Sequence, residues 1–252
     1  MRMRRLPREE EATLVEHVEE LRQRLIVTVA TVAVTSAAAF TVHGRILDIL
    51  TRALPTQHRQ LATFGVAEPF SVSIGVSVYA GLILALPVLL WQAWSFLVPA
   101  LDRTAERKIL AFATFGVVLA AAGLAFAYNL VLPRAVHFLT SYDTGHFHIL
   151  VRASSYFSFV VAILVGVVCV FETPLVILAL VNLGVLTSRA LRRNRRKGYF
   201  IVAAIALALP GPDPVTTALE LLPMWLLFEG SIWLAVLAER RASRLAVAGA
   251  AA

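Results

Sequence analysis

The sequence predicts an all-α, polytopic membrane protein with six transmembrane helices, and three observations carry that prediction. Hydrophobic residues make up 59% of the 252-residue chain and charged residues only 15%, whereas water-soluble domains carry about 25% charged residues. Apolar runs near the length that crosses a bilayer, roughly 20 residues rising 1.5 Å each, recur along the chain. The basic residues behind the net charge of +7 gather in short clusters at the ends of these runs. That distribution argues against a nucleic-acid footprint and fits a protein bordering cytoplasm and anionic lipid.

Taken in order, the first run covers 25–42 and follows a polar, amphipathic start. The second covers 72–98 and holds Pro87; the third covers 109–132 and is expected to end at Pro133. The fourth, 156–186, contains Glu172 and Pro174. The fifth offers an apolar stretch over 199–209 before Pro210-Gly211-Pro212-Asp213-Pro214 breaks it. Its reach of roughly 17 Å falls well short of a hydrocarbon core of about 30 Å. The sixth, 215–237, is interrupted by Glu220, Pro223 and Glu229. A re-entrant hairpin is one reading of this last pair; two short crossing helices in a locally thinned bilayer is the preferred one.

Orientation follows from Lys and Arg. Arg2, Arg4, Arg5, Arg8, Arg22 and Arg24 precede the first run, and Arg103, Arg107 and Lys108 follow the second. Arg189, Arg192, Arg193, Arg195, Arg196 and Lys197 precede the fifth, and Arg240, Arg241 and Arg244 follow the sixth. Only Arg45, Arg52, Arg59, Arg134 and Arg152 fall on the other side. The positive-inside rule therefore places both termini in the cytoplasm and the two longer loops, 41–71 and 133–155, outside. Residues 1–11 lack an apolar core ending in a cleavage site and read as a retained tail. The expected organisation is a cytosolic segment over 1–24, a membrane domain over 25–240 and a disordered cytosolic tail over 241–252. The lone Cys169 rules out an intrachain disulfide and a CxxC site.

An ionisable side chain within a span costs about 2.5–3.5 kcal/mol on insertion scales and so marks a functional hypothesis. Glu172, in Phe171-Glu172-Thr173-Pro174, sits near the middle of the fourth run, and Glu229 lies within the sixth. Neither has a basic residue in its own span, so each is either protonated or served by polar groups from elsewhere. The plain reading is a bond between helices of one subunit; the sharper one is a polar spot on a groove that receives another protein's helix. Gln92, on the second run, is expected to join this set. At the cytosolic edge, Glu20 and Arg24 stand four residues apart, a spacing worth a few tenths of a kcal/mol on a helix. In the next cytosolic loop Asp102 and Glu106 lie among Arg103, Arg107 and Lys108, and a carboxylate there suits bidentate recognition of a guanidinium. Glu68, beside Pro69, is expected to cap the second span.

These segments together resemble the TatC family over residues 14–240. The pieces that match are His17-Val18-Glu19-Glu20-Leu21-Arg22-Gln23-Arg24-Leu25, Glu68-Pro69-Phe70 and the stretch from Leu86-Pro87 through Trp91-Gln92-Ala93-Trp94-Ser95-Phe96-Leu97-Val98-Pro99. They continue with Glu106-Arg107, Phe126-Ala127-Tyr128, Phe171-Glu172-Thr173-Pro174-Leu175, Pro212-Asp213 and Leu222-Pro223-Met224 with Leu227-Phe228-Glu229. The resemblance implies a concave six-helix receptor for twin-arginine signal peptides in the cytoplasmic membrane. It also implies that folded proteins are exported with TatA and TatB at the expense of the proton gradient, and that the receptor is oligomeric with TatB. It places signal-peptide recognition at Glu20, Arg22, Phe96 and Glu106, and partner-helix contacts at Gln92, Glu172, Asp213 and Glu229. The chain departs from the family in two places: one extra residue between Pro99 and Glu106, which leaves Asp102 as an alternative arginine partner, and Pro-Gly-Pro-Asp where Thr-Pro-Pro-Asp is usual.

No cofactor, metal or reaction chemistry is expected. The six histidines do not form a ligand set with acids on one helix face, and His146 and His148 read as a polar outer loop. A proton-relay transporter using Glu172 and Glu229 is the competing function, but its usual repeated halves are not visible.

Overall fold

The computed structural model describes residues 14–97, 105–146, 149–208 and 214–250. Among them all regular structure is helical, apart from an isolated bridge between Ala62 and Arg152. The first expected span falls on α1 (Leu14–Thr41), which begins in the polar entry segment and ends one residue before the expected end. A short helix, α2 (His43–Thr51), follows in the loop after it, and α3 (Glu68–Leu97) carries Pro87 in its interior.

The third span does not stop at Pro133. Helix α4 (Ala105–Phe126) passes through one π-helical turn, Ala127–Val131, into α5 (Leu132–Ser141). Proline lacks an N–H and cannot bond one turn back; at the start of α5, directly after the widened turn, that loss is tolerated. The loop expected over 133–155 is correspondingly shorter. The fourth span divides into α6 (Ala153–Phe171) and α7 (Thr173–Asn182), with Glu172 at the break and Pro174 in the first turn of α7.

A six-residue helix, α8 (Ser188–Arg193), leads into α9 (Arg195–Ala208), and α10 (Pro214–Ala250) closes the chain. Helix α10 thus runs on to Ala250, into the segment expected to be a disordered tail. Among the described residues five helical rods are long and apolar enough to cross a membrane: Val18–Thr41, Glu68–Phe96, Leu110–Ser141, Ala153–Asn182 and Thr216–Arg240. The chain is a membrane protein. The remaining rod, α9, has 14 residues and a length of about 21 Å.

Of three buried apolar clusters among the described residues, the two larger hold most of these rods together. The larger gathers Leu50 and Leu54 from the stretch between α1 and α3 with Val131, Leu132, Val160 and Ile163, where the π-helical turn meets α6. The smaller joins Ile177 of α7, Val202 of α9 and Phe228 and Ile232 of α10. Helix α1 lies along α3, and Gly81 permits the approach: a Cβ there would come within 2.5 Å of the Ser36 backbone. The Thr35 hydroxyl donates to the Gly81 carbonyl at 2.8 Å, the kind of polar contact that joins helices in lipid. Leu25, Val29 and Val34 of α1 and Phe200 of α9 remain outward and exposed, as lipid-facing side chains should.

The segments between α1 and α3 and between α5 and α6 bond to one another. The last carbonyls of α2 accept long bonds from backbone N–H groups just beyond the helix, Arg52 to Ile49 O at 3.2 Å and Ala53 to Leu50 O at 3.3 Å. Two side chains supplement them: the Tyr128 hydroxyl donates to Ile49 O at 2.8 Å and the Tyr156 hydroxyl to Leu50 O at 2.7 Å. Ala62 N–H donates to Val151 O and Ala153 N–H to Ala62 O, both at 2.9 Å, pairing the two loops.

Candidate functional site

The polar entry of α1 comes to rest against the end of α3. Arg24 donates to Glu20 Oε1 from Nε at 3.0 Å and from Nη2 at 2.5 Å, completing the expected pair. The same guanidinium reaches across to α3. Nη1 donates to Gln92 Oε1 at 3.2 Å, and Nη2 donates to Ser95 O at 3.0 Å. The last carbonyls of a helix carry partial negative charge and lack intrahelical partners, so a five-donor guanidinium is suited to collect them. Arg24 is only 20% exposed, while Glu20 is 45% exposed. Gln92 therefore belongs to this network at the meeting of α1 and α3, where Arg24 holds it, and its bond there was not foreseen.

The other residues named for this face are distributed around it. Arg22 is exposed and pairs with Glu19 at 3.5 Å rather than with Glu20. Phe96 is half-buried in the last turn of α3. Just before it, Trp94 is buried and stacks on Phe112 of α4 with ring centroids 4.2 Å apart, fixing the end of α3 against α4. Glu106 is the second residue of α4. Asp102 and Asp213 lie outside the described residues.

Glu172 occupies the break between α6 and α7 with φ −76° and ψ −6°. Its carbonyl accepts from Leu175 and Val176 N–H, each at 3.0 Å, which starts α7. The side chain is 9% exposed, and neither carboxyl oxygen has a hydrogen-bond partner among the described residues. It faces Gly116 of α4, where a Cβ would stand 3.2 Å from Glu172 Oε2 and 2.7 Å from Leu90. The glycine opens the space that the carboxyl fills.

Glu229 is handled differently. Arg195 donates to its Oε2 at 3.1 Å and the Tyr199 hydroxyl to its Oε1. Both partners stand on α9, and Arg195 is the first residue of that helix. Glu229 is thus served by groups from a neighbouring helix, one of the two alternatives open to it.

Two carboxylates prove more connected than their sequence context suggests. Glu68 does bond near its own helix start, accepting from Phe64 N–H at 2.9 Å. It also accepts from Arg152 Nε at 2.9 Å and from Ser154 N–H at 3.2 Å, locking the start of α3 to the start of α6. The Glu68 carboxylate beside Arg152 raises the guanidinium above its ordinary range. Glu239 accepts from Ser188 N–H at 2.6 Å and from its hydroxyl, anchoring the start of α8 to α10. An acid beside a proline signalled Glu68, but nothing local signalled its partner; Glu239 offered no signal beyond its charge. In the outer turn His146 bonds Asp143 at 2.7 Å, and His148 lies outside the described residues.

Two grooves complete the picture. One of about 540 Å³ lies between α3 and α6, near Glu68, Gly75, Ser158 and Gly166. The other, about 140 Å³, lies between α7, α9 and α10.

Known proteins share this arrangement. The family model described as Sec-independent protein translocase protein (TatC) matches residues 16–223. The Sec-independent protein translocase protein TatC of Carboxydothermus hydrogenoformans is 33% identical over 225 residues, covering 88% of this chain and 92% of the relative. TatCd of Bacillus subtilis is 32% identical, covering 96% and 98% respectively. A crystal structure of the twin-arginine translocase receptor TatC superposes with a TM-score of 0.76 at 32% identity, covering 89% of this chain and all of that one.

Proposed function

This chain belongs to the TatC family of Sec-independent protein translocase proteins, and from that membership we propose that it receives twin-arginine signal peptides at its cytosolic face. It is a translocase subunit, a membrane transport protein. The observation that carries the finer reading is the Glu20–Arg24 pair. A half-exposed carboxylate at the membrane edge already holds one guanidinium, so Arg24 occupies the position that an arginine of a signal peptide would take. Charge-assisted, fork-shaped bonds of this kind favour arginine over lysine. Glu106, at the start of α4, supplies the second carboxylate, with Asp102 as its alternative. Phe96 offers an apolar contact and Arg22 holds the peptide's register.

In the same reading both termini are cytoplasmic, the membrane domain spans 25–240, and α9 is a short crossing helix paired with the longer α10. The buried carboxyl of Glu172, with Asp213 and Glu229 on the last two helices, serves contacts with the transmembrane helices of TatA and TatB. Folded substrates then cross at the expense of the proton gradient, with the chain acting as receptor and scaffold. The test is crosslinking of a twin-arginine peptide to the full-length protein in membranes. The peptide should crosslink to the α1 entry or to the loop before α4, and Glu20→Ala combined with Glu106→Ala should abolish the product. Equal capture of an Arg-Arg peptide and its Lys-Lys counterpart would refute the reading.

A further inference from the structure

The junction of α8 and α9 concentrates positive charge that the rest of the chain does not neutralise. Arg189, Arg192, Arg193, Arg195, Arg196 and Lys197 fall within nine residues. Two carboxylates approach from α10, and both are engaged: Glu239 holds Ser188 and faces Arg189 and Arg192, while Glu229 holds Arg195 and Tyr199. Arg193, Arg196 and Lys197 are exposed, and among the described residues none is paired with an acid.

Directly along α9 from this cluster runs the smaller groove. It holds about 140 Å³ and is lined by Val170, Ile177, Ile201, Ile205, Met224 and Phe228. Lys197, Ile201 and Ile205 stand at successive four-residue steps on α9, and such positions lie one above another on a helix face. The ammonium is therefore one turn above the mouth of an apolar slot. Phe200, on the adjoining face, is 75% exposed, so the slot borders a lipid-facing surface.

From this juxtaposition we propose that the α8–α9 elbow is a binding site for one anionic phospholipid, its phosphate on Arg193, Arg196 and Lys197 and an acyl chain in the slot. Basic clusters between helices at the cytoplasmic surface recognise anionic headgroups in this way. The size of the slot decides the occupant. A helix about 10 Å across is too wide for it, an acidic peptide would leave it unused, and a single hydrocarbon chain fills it. A lipid held here would also keep its headgroup level with the start of α9, a helix of 14 residues beside which an unperturbed bilayer would be too thick. The proposal rests on reading α9 as a short crossing helix and is independent of signal-peptide recognition, since binding is measured without transport.

The test uses the full-length protein in detergent, with bound lipid counted by native mass spectrometry during titration with dioleoyl phosphatidylglycerol or dioleoyl phosphatidylcholine. Phosphatidylglycerol should be retained at a concentration at least about tenfold lower, as three cations near a headgroup require. The R193Q/R196Q/K197Q variant should lose that preference, and the charge-conserving R193K/R196K variant should keep it. Ile201→Trp, which fills the slot, should weaken phosphatidylglycerol binding while leaving the cations in place. Equal retention of the two lipids by the unaltered protein would overturn the proposal. So would displacement of phosphatidylglycerol by inorganic phosphate or by a polyglutamate peptide at the same concentration, which would reduce the elbow to an anion patch or a protein-docking patch.

Discussion

Replacing Arg24 by methionine separates the two jobs that meet where α1 packs on the end of α3. The substitution keeps the apolar stem and removes the guanidinium. The bond to Glu20 joins residues four apart on one helix, and Glu20 is nearly half exposed, so its share is about 0.3–0.5 kcal/mol. The bonds to Gln92 Oε1 and Ser95 O cross from α1 to α3 from a side chain that is only 20% exposed. Hydrogen bonds to charged groups contribute about 1.5–3 kcal/mol each when both ends are sheltered. Water can reach the end of α3 and reclaim part of that, which brings the expected loss for Arg24→Met to about 2 kcal/mol. Glu20→Gln should cost no more than about 0.5 kcal/mol. Unfolding in mixed micelles measures both. Signal-peptide binding should show the reverse order: Glu20→Gln abolishes it, and folded Arg24→Met retains it because the carboxylate remains. If Glu20→Gln destabilised the protein as much as Arg24→Met, Arg24 would not be tying α1 to α3 and the reasoning would fail.

Three further outcomes follow from the geometry. Tyr156→Phe removes the buried hydroxyl's bond to Leu50 O, which keeps the Ala53 N–H at 3.3 Å, and should cost about 1 kcal/mol of unfolding free energy, while Tyr128→Phe at its exposed counterpart should cost less than about 0.5. Glu172→Met should leave stability unchanged or slightly higher, because the carboxyl has no hydrogen-bond partner among the described residues and apolar replacement of such a group is often neutral or favourable. In membranes the same variant should lose crosslinks to partner helices, and a destabilisation above about 2 kcal/mol would instead show that the carboxyl holds this subunit together. Gly198→Val places a Cβ in the Phe228 ring, which should push α9 off α10 at a cost of about 1–3 kcal/mol and lower the thermal unfolding temperature.

Much of the architecture was legible from composition and order. The apolar runs marked every rod, and the count of 14 residues in α9 agrees with the short fifth run. The expected stop at Pro133 failed because proline ends a helix only where its missing N–H cannot be accommodated, and the π-helical turn at Ala127–Val131 accommodates it. Single-residue chemistry flagged Glu20, Glu68, Glu172 and Glu229 as unusual. It could not say what each one touches.

Hydropathy and charge are properties of the chain taken one residue at a time, so they identify a membrane protein and the side its basic clusters favour without reference to packing. The resemblance in ordered motifs rests on the same one-dimensional information. Partnerships between helices do not. Arg24 finds Gln92 68 residues away, and Arg152 finds Glu68 84 residues away. Glu229 takes its donors from α9, and Glu172 faces Gly116 of α4. Helical periodicity records which face is apolar and leaves open which neighbour that face meets. The choice is made where small residues leave room, Gly81 for the backbone of α1 and Gly116 for the side chains of Leu90 and Glu172, and the carboxylates of the candidate site acquire their different roles from the neighbours that this packing assigns them.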